Sequence, residues 1–546
     1  MGAFLANLEK IYFGLDVAEI ELICFLLMIV AVLDIAARKI GLPYPVLLVL
    51  SGLALSLIPF LPHVGFNPEL ALLVFLPPLL YPAALFTSWR DFRRNLRPIA
   101  MLAFGLVLMT TVSVAWVAHA LIPNLPWAAA LILGAIVSPP DAIAATAVLQ
   151  RIKIPRRIVA ILEGESLVND SIALVAYRFG TAAVVTGSFS PTAAILKVPV
   201  VGLGGVFVGW LVAAAVHQLQ RRLDDPPVQI TISLLTPFAA YLPAEQLGLS
   251  GVLAVVTAGL YIGWRSPLMI TARTRLEAFS VWRMIVFLLN GIIFILIGLQ
   301  LPEVVSGLRN DSWATLLWYA VAVSATVVLT RIFWVFPVTY LPRWLSPTLR
   351  ARDPYPAWQH VAIIGWAGMR GVVSLAAAMA LPLTTATGAP FPGRNEIIFL
   401  SFSVILVTLV FQGLTLPVLI RVLRIQDDGE SRREERIARK QANQAALAFV
   451  ESLPRNPGNH AGRLSRLRDE YRERLAQLDY CEDLSTQPDP EQLPASHFNH
   501  LVREALQVER RTLVELRNQL QINDETLRLV QRDIDLAEAR IAEAEH

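Results

Sequence analysis

Asp170 sits in the run LEGESLVNDSIALVAYRF (residues 162–179), one residue after Asn169 and four after Ser166. On a helix, Ser166 and Asp170 share a face, and Asn169 lies about a third of a turn away. Carboxylate, hydroxyl and amide oxygens suit a hard monovalent cation, and the carboxylate can also take a proton. One group serving both makes proton and cation compete, and exchange follows from that competition. Glu165 falls on a neighbouring face and reads as structural, paired with a buried arginine; Glu163 admits the same reading.

A second run, SPPDAIAATAVL (138–149), places Pro139 and Pro140 in the middle of an apolar segment. Two missing backbone donors interrupt a helix there and leave carbonyls in need of partners. Asp141 follows at once. An opened helix with a carboxylate at its restart is how membrane transporters build a cation site near the midplane. The alternative is a plain proline kink with Asp141 as its N-cap. A third run, GWAGMRGVVSL (365–375), sets Gly365, Gly368 and Gly371 around Arg370. Arg370 there can neutralise the carbonyl ends of crossed half-helices. Arg331, in VVLTRIFWVF, is the other intramembrane arginine, and Glu165 is its expected partner. Asp34, Arg178, His119 and His217 stand near segment ends and read as structural. The Gly205/Gly209 pair reads as ordinary close packing.

The elements that must position these groups are membrane helices. The 546-residue chain is 55% apolar and only 16% charged, against roughly 25% charged in an average soluble protein. The deficit is local: residues 1–424 carry 28 Lys and Arg against 19 Asp and Glu, and residues 425–546 carry 18 against 24. The first part reads as a polytopic membrane domain and the second as a water-exposed tail. Thirteen apolar segments are expected to span: 17–37, 43–60, 69–88, 98–122, 127–150, 158–186, 193–219, 228–246, 249–264, 282–302, 313–341, 358–383 and 396–423. The split at Gly248 is the softest boundary. Odd-numbered loops hold the basic clusters, such as Arg90–Arg97, Arg151–Arg157 and Arg343–Arg352, while even-numbered loops hold only Lys197, Arg309 and Arg394. The bias puts odd loops and tail in the cytoplasm and the N-terminus outside. Breaks in segments five and twelve occupy corresponding places in two halves, the pattern of inverted repeats crossing at a substrate site. Cys24 and Cys481 fall in different compartments, which excludes a disulfide framework. Nucleic acid is not expected as a partner, since the basic residues lie in loops.

The tail has helical periodicity over Ser431–Leu453 and Arg463–Leu478, a proline-rich linker between Cys481 and Ser496, and further helices over Leu501–Ala544. A solvated hairpin or dimerising coil is the expectation, with its partner undefined.

Over residues 1–424 the pattern resembles the monovalent cation/proton antiporter family, in its bacterial branch of electroneutral sodium/proton exchangers with a long cytoplasmic tail. The string EGESLVND followed by a broken helix with GMRG carries the likeness, and FLPPLL (75–80) and NGIIFILIGLQL (290–301) support it. The resemblance implies a homodimeric, all-α fold of thirteen helices in the inner membrane, with a dimerisation domain and a moving core domain. It implies no cofactor and no enzyme activity. Instead Na+ (or K+ or Li+) would bind at Asp170 in exchange for H+, with Asn169, Ser166 and Asp141 beside it. Electrogenic relatives carry two adjacent aspartates where this chain has Asn169-Asp170. The resemblance also implies a Glu165–Arg331 pair that holds the core together and Arg370 as the charge at the second break. Two departures stand out. The family's usual Thr before the segment-five aspartate is Pro140, which keeps only its carbonyl, and the usual acidic residue of segment three is Pro82. The competing class is a non-transporting cation or pH sensor that keeps the fold and signals through the tail.

Overall fold

A computed structural model describes residues 17–484 except 41–42, 58–67, 142–144, 147–148, 150–153, 188–190, 307, 309–311, 426–428 and 453–460; beyond 484 it describes only Leu506, Gln519 and Leu536. The chain divides into two compact units, Met1–Glu430 and Ser431–His546. Its described residues are overwhelmingly helical. An isolated bridge pairs Thr384 with Pro390.

The first unit contains α1 (Val17–Ile40), α2 (Tyr44–Ser56), α3 (Pro68–Phe86), α4 (Leu96–Leu121), α5 (Trp127–Val137), α6 (Arg156–Thr186), α7 (Pro191–Gln220), α8 (Pro226–Gln246), α9 (Gly251–Met269) and α10 (Ala272–Leu299). Then follow α11 (Trp313–Leu345), the short pair α12 (Trp358–Trp366) and α13 (Val372–Met379), and α14 (Arg394–Val422). Among the described residues, α4, α10, α11, α14 and the part of α7 from Lys197 are long and apolar enough to cross a membrane by length and composition. Helices occupy the other expected segments as well, from the 31-residue α6 to the short pair α12 and α13.

Local chemistry explains most boundaries. The chain does turn between α8 and α9: Gly248 takes φ +70°, and Ser250 accepts the Leu253 N–H at 3.2 Å to start α9. A left-handed residue flanked by a serine cap ends one helix and begins the next. The start of α10 differs from the sequence expectation. It begins ten residues before position 282, because Thr271 caps the Thr274 N–H at 3.3 Å and the charged first turns continue the helix beyond its apolar part. Two stretches, Met101–Leu106 in α4 and Thr408–Gln412 in α14, wind as π-helix. Such single turns often mark functional places.

Small residues set the closest crossings. A Cβ on Gly298 of α10 would lie 2.5 Å from the Leu53 nitrogen of α2. Gly205 and Gly209 of α7 likewise abut the α9 backbone at Ser250 and Ala254. Without a hydrophobic force between helices in lipid, such close packing is what holds them together. One apolar core joins residues of α1, α2, α4–α6 and α10–α14; a second joins α3, α7–α9 and Trp282. The cavity described below is lined by residues of both cores.

Arg178 and Asp34 are both in ion pairs: Arg178 bonds Glu245, and Arg38 reaches Asp34 at 2.8 Å. His119 donates from Nδ1 to the Leu125 carbonyl (2.7 Å) and packs at a tilt against the Trp127 ring. In the second unit, α15 (Glu430–Ser452) and α16 (Ala461–Leu484) are joined by an Arg472–Glu451 pair at 2.8 Å. Helix α16 runs through Cys481, so the expected linker begins later; the helices expected over Leu501–Ala544 lie outside the described residues, three positions excepted.

Candidate functional site

The prolines act as their chemistry dictates. Helix α5 stops at Val137, and Ser138 turns its hydroxyl back to the Ala135 carbonyl at 2.9 Å. The counterpart break runs over 367–371, between α12 and α13. The two openings meet. Asp141 N–H donates to the Met369 carbonyl at 2.7 Å, and Arg370 Nε donates to the Val137 carbonyl at 3.0 Å. Arg370 Nη1 bonds the Gly368 carbonyl, and its own backbone N–H donates to Thr408 Oγ1 at 3.1 Å. A fully buried guanidinium with no carboxylate on it is thus held at carbonyl groups, including the negative end of α5. Gly371 has no room for a side chain: a Cβ there would lie 2.6 Å from Cγ of Asp141.

Asp170 lies near the midpoint of α6 and is 7% exposed. It opens onto a cavity of about 590 Å³ whose walls also carry Ser166, Asp141 and Pro140. Four of the five residues expected to bind the cation therefore face one space. Asn169 is set differently. It is fully buried off the cavity wall, and its Nδ2 donates to the Pro140 carbonyl at 2.9 Å. It braces the opened helix from behind, while its Oδ1 is buried with no hydrogen-bond partner.

Glu165 and Arg331 form a fork-to-fork pair: Nη1 to Oε1 at 2.6 Å and Nη2 to Oε2 at 2.8 Å, both side chains fully buried. Arg331 Nε also donates to the Ile364 carbonyl at 3.1 Å. One guanidinium therefore ties α6, α11 and α12. Bidentate charge-assisted contacts are among the strongest available to side chains.

Several contributors escaped the sequence reading. Thr408 meets Arg370 from a π-helical turn, which leaves no mark in hydrophobic periodicity. Thr146, Ser374 and Asn290 add polar groups to the cavity wall. Glu163 lines the same cavity and makes no ion pair or hydrogen bond to a described residue, so the arginine-paired reading it admits finds no partner among the described residues. Its spacing was the available signal: 163, 166 and 170 fall on one helical face. Pro82, where a carboxylate was expected, also lines this space.

Comparison with known proteins adds to this geometry. Residues 25–422 match the family described as the transmembrane sodium/hydrogen exchanger. An uncharacterised Na+/H+ exchanger of Mycobacterium tuberculosis is 39% identical over 507 residues, covering 91% of each chain. A sodium, potassium, lithium and rubidium/H+ antiporter of Bacillus pumilus is 35% identical over 387 residues, covering 69% of this chain and 57% of that one. In fold, the chain is similar to the sodium proton antiporter MjNhaP1 of Methanocaldococcus jannaschii: TM-score 0.56 at 20% identity, over 74% of this chain and 98% of that one.

Proposed function

The chain belongs to the sodium/hydrogen exchanger family, and from that premise we propose that it exchanges Na+ for H+ by alternating access, with Asp170 as the carboxylate both ions share. The family is one of membrane transporters, not enzymes, and its substrates are the transported ions themselves; the protein is a multi-pass membrane protein. The observation that carries the proposal is the cavity that Asp170 lines together with Asp141, Ser166 and Pro140.

The coupling follows from charge. A bare carboxylate in the membrane interior is costly, so Asp170 crosses between faces readily only when a cation or proton neutralises it. Crossing empty would leak the gradient and is the disfavoured step. Ser166 and the Pro140 carbonyl supply neutral oxygen ligands, and Asp141 supplies a fixed charge at the opened helix. Asn169 holds the opening in shape. Competition sets the sign of the pH effect: acidification should raise the Na+ concentration needed for half-maximal exchange.

The architecture we propose has thirteen spans in two inverted repeats, with segments five and twelve as the crossed broken pair. The basic loops would face the cytoplasm of a bacterial cell, the N-terminus the outside, and the unit Ser431–His546 would be a cytoplasmic tail. A homodimer is proposed, with one half of each protomer moving against the other. Everted membrane vesicles test the function: Na+, K+ and Li+ are added to a preset acid-inside gradient, and proton efflux is followed by dye dequenching. Na+ should evoke efflux. A response to K+ and none to Na+ would overturn the sodium assignment, and no response to any of the three would overturn exchange.

A further inference from the structure

The cavity has a direction. Tyr44 at the start of α2, Thr87 just past the end of α3, and Phe279 and Arg283 in the first half of α10 line it near the basic loops in sequence, whereas Asp170 lines it from mid-helix. Glu163 lies between those two limits, on the same helix and the same face as Asp170. Seven residues at helical rise put it about 10 Å nearer the mouth. It is half-buried in the wall, with no ion pair or hydrogen bond to another described residue. Across the cavity, Arg283 is the described basic side chain in the lining, and its guanidinium rests on the Phe279 ring, 4.7 Å from the centroid, rather than on Glu163. A carboxylate without a partner is costly to keep in such a wall, and an unpaired one inside a membrane segment marks an ion path.

We infer that Glu163 is the specificity-determining carboxylate of the entry path: it captures the incoming monovalent cation in the cavity and delivers it down the shared face to Asp170, setting the apparent cation affinity from this side. The inference rests on the exchange reading above. It also gives the unusual Pro82 a physical context. With no carboxylate on the α3 wall, negative charge along the outer part of the path comes from α6. A unit charge about 10 Å away changes cation occupancy about twofold in water-like surroundings and more than tenfold at an effective dielectric constant of about 20. A wet, half-enclosed cavity falls between these limits.

The experiment compares Glu163→Gln with the unsubstituted protein in everted and right-side-out vesicles across a Na+ series. From the face onto which the cavity opens, the half-saturating Na+ concentration should rise about threefold to tenfold, more than the maximal rate falls. From the opposite face it should not move, because the cation does not pass Glu163 on that route. Glu163→Asp, which keeps the charge, should restore the wild-type value. A superimposed curve, or an equal shift from both faces, overturns the inference. Should Glu163→Gln fail to fold, Arg283→Gln tests the same field from the opposite wall: half-saturation should fall, and an unchanged value counts against the proposal. The exchange reading fails separately, if the unsubstituted protein moves no protons. In that case Na+-dependent thermal stabilisation of the purified proteins decides on Glu163: a shifted midpoint supports Na+ capture there, and an unshifted midpoint or no stabilisation overturns it.

Discussion

Asp170 and Gly371 illustrate how much rests on single positions. Asp170 is the one cavity carboxylate at mid-helix, and Asp141, which shares the space, is packed against the Gly371 backbone. Asp170→Asn keeps the volume and removes the group able to alternate between proton and cation. Exchange should vanish while the protein still inserts and elutes as the wild type does; residual cation-evoked proton movement would show the site is elsewhere. Gly371→Ala adds one methyl where Asp141 already stands. Overpacking costs about 1–3 kcal/mol, and the strain must be relieved by moving Asp141 or lengthening its 2.7 Å bond to Met369. Because a displacement of about 1 Å at a reacting centre can cost on the order of a hundredfold in rate, exchange should fall far more than thermal stability. Wild-type transport in Gly371→Ala would mean that Asp141's position is not critical.

Among the elements, the crossed breaks are held together by hydrogen bonds at their opened ends. The Val137 carbonyl takes Arg370, the Met369 carbonyl takes Asp141, and the Pro140 carbonyl takes Asn169. Irregular backbone at membrane depth is tolerated only when satisfied in this way. Arg331 then fixes α12 to α6 and α11 through Glu165 and Ile364. Removing one partner of a buried pair leaves an uncompensated charge, at a cost of about 3–5 kcal/mol. Glu165→Ala and Arg331→Ala should each lower the melting temperature in detergent, and the double variant should lose less than their sum; strict additivity would argue that the pair is not energetically coupled. Both breaks were legible because Pro139-Pro140 and a glycine-flanked arginine violate the rules of an apolar helix. Glu165 and Arg331 stood out for a related reason: each is an ion in an apolar run, and two such ions need one another. What stayed hidden follows no periodicity. The π-helical turn that presents Thr408, the charged extension of α10 back to Ala272, and the exposure of Glu163 to the cavity are all decided by tertiary packing. Asn169 was read as a ligand because it adjoins Asp170, but the helical rotation between neighbours turns it to Pro140 instead.

At the scale of the whole molecule, the second unit and the stoichiometry can be tested apart. Truncation after Gln426 removes the unit Ser431–His546 and leaves α1–α14 whole, so the remaining protein should insert and exchange; one that inserts but is inactive at every pH would make the tail part of the machine. Stoichiometry depends on how many groups titrate per cycle. Asn169 is an amide committed to the Pro140 carbonyl and cannot carry a proton. Glu165 is engaged through both carboxylate oxygens by Arg331 and lies off the cavity wall. Asp141 is expected to contribute a constant charge to the field without moving a proton. Glu163, on the entry path, passes the cation on without itself accompanying it. Asp170 remains, and a single carboxylate that gives up one proton to take one monovalent cation moves no net charge. One-for-one exchange should therefore be indifferent to membrane potential and driven by the two ion gradients alone. In proteoliposomes, the potential can be clamped with valinomycin at several K+ ratios, with Na+ as substrate and choline as control. Equal Na+-driven proton fluxes at every clamp are expected, with no steady current on a solid-supported membrane. A flux that rises or falls systematically with voltage would mean a second group titrates during the cycle. Asp141→Asn and Glu163→Gln would then show which one, since removing the extra proton carrier must abolish the voltage dependence.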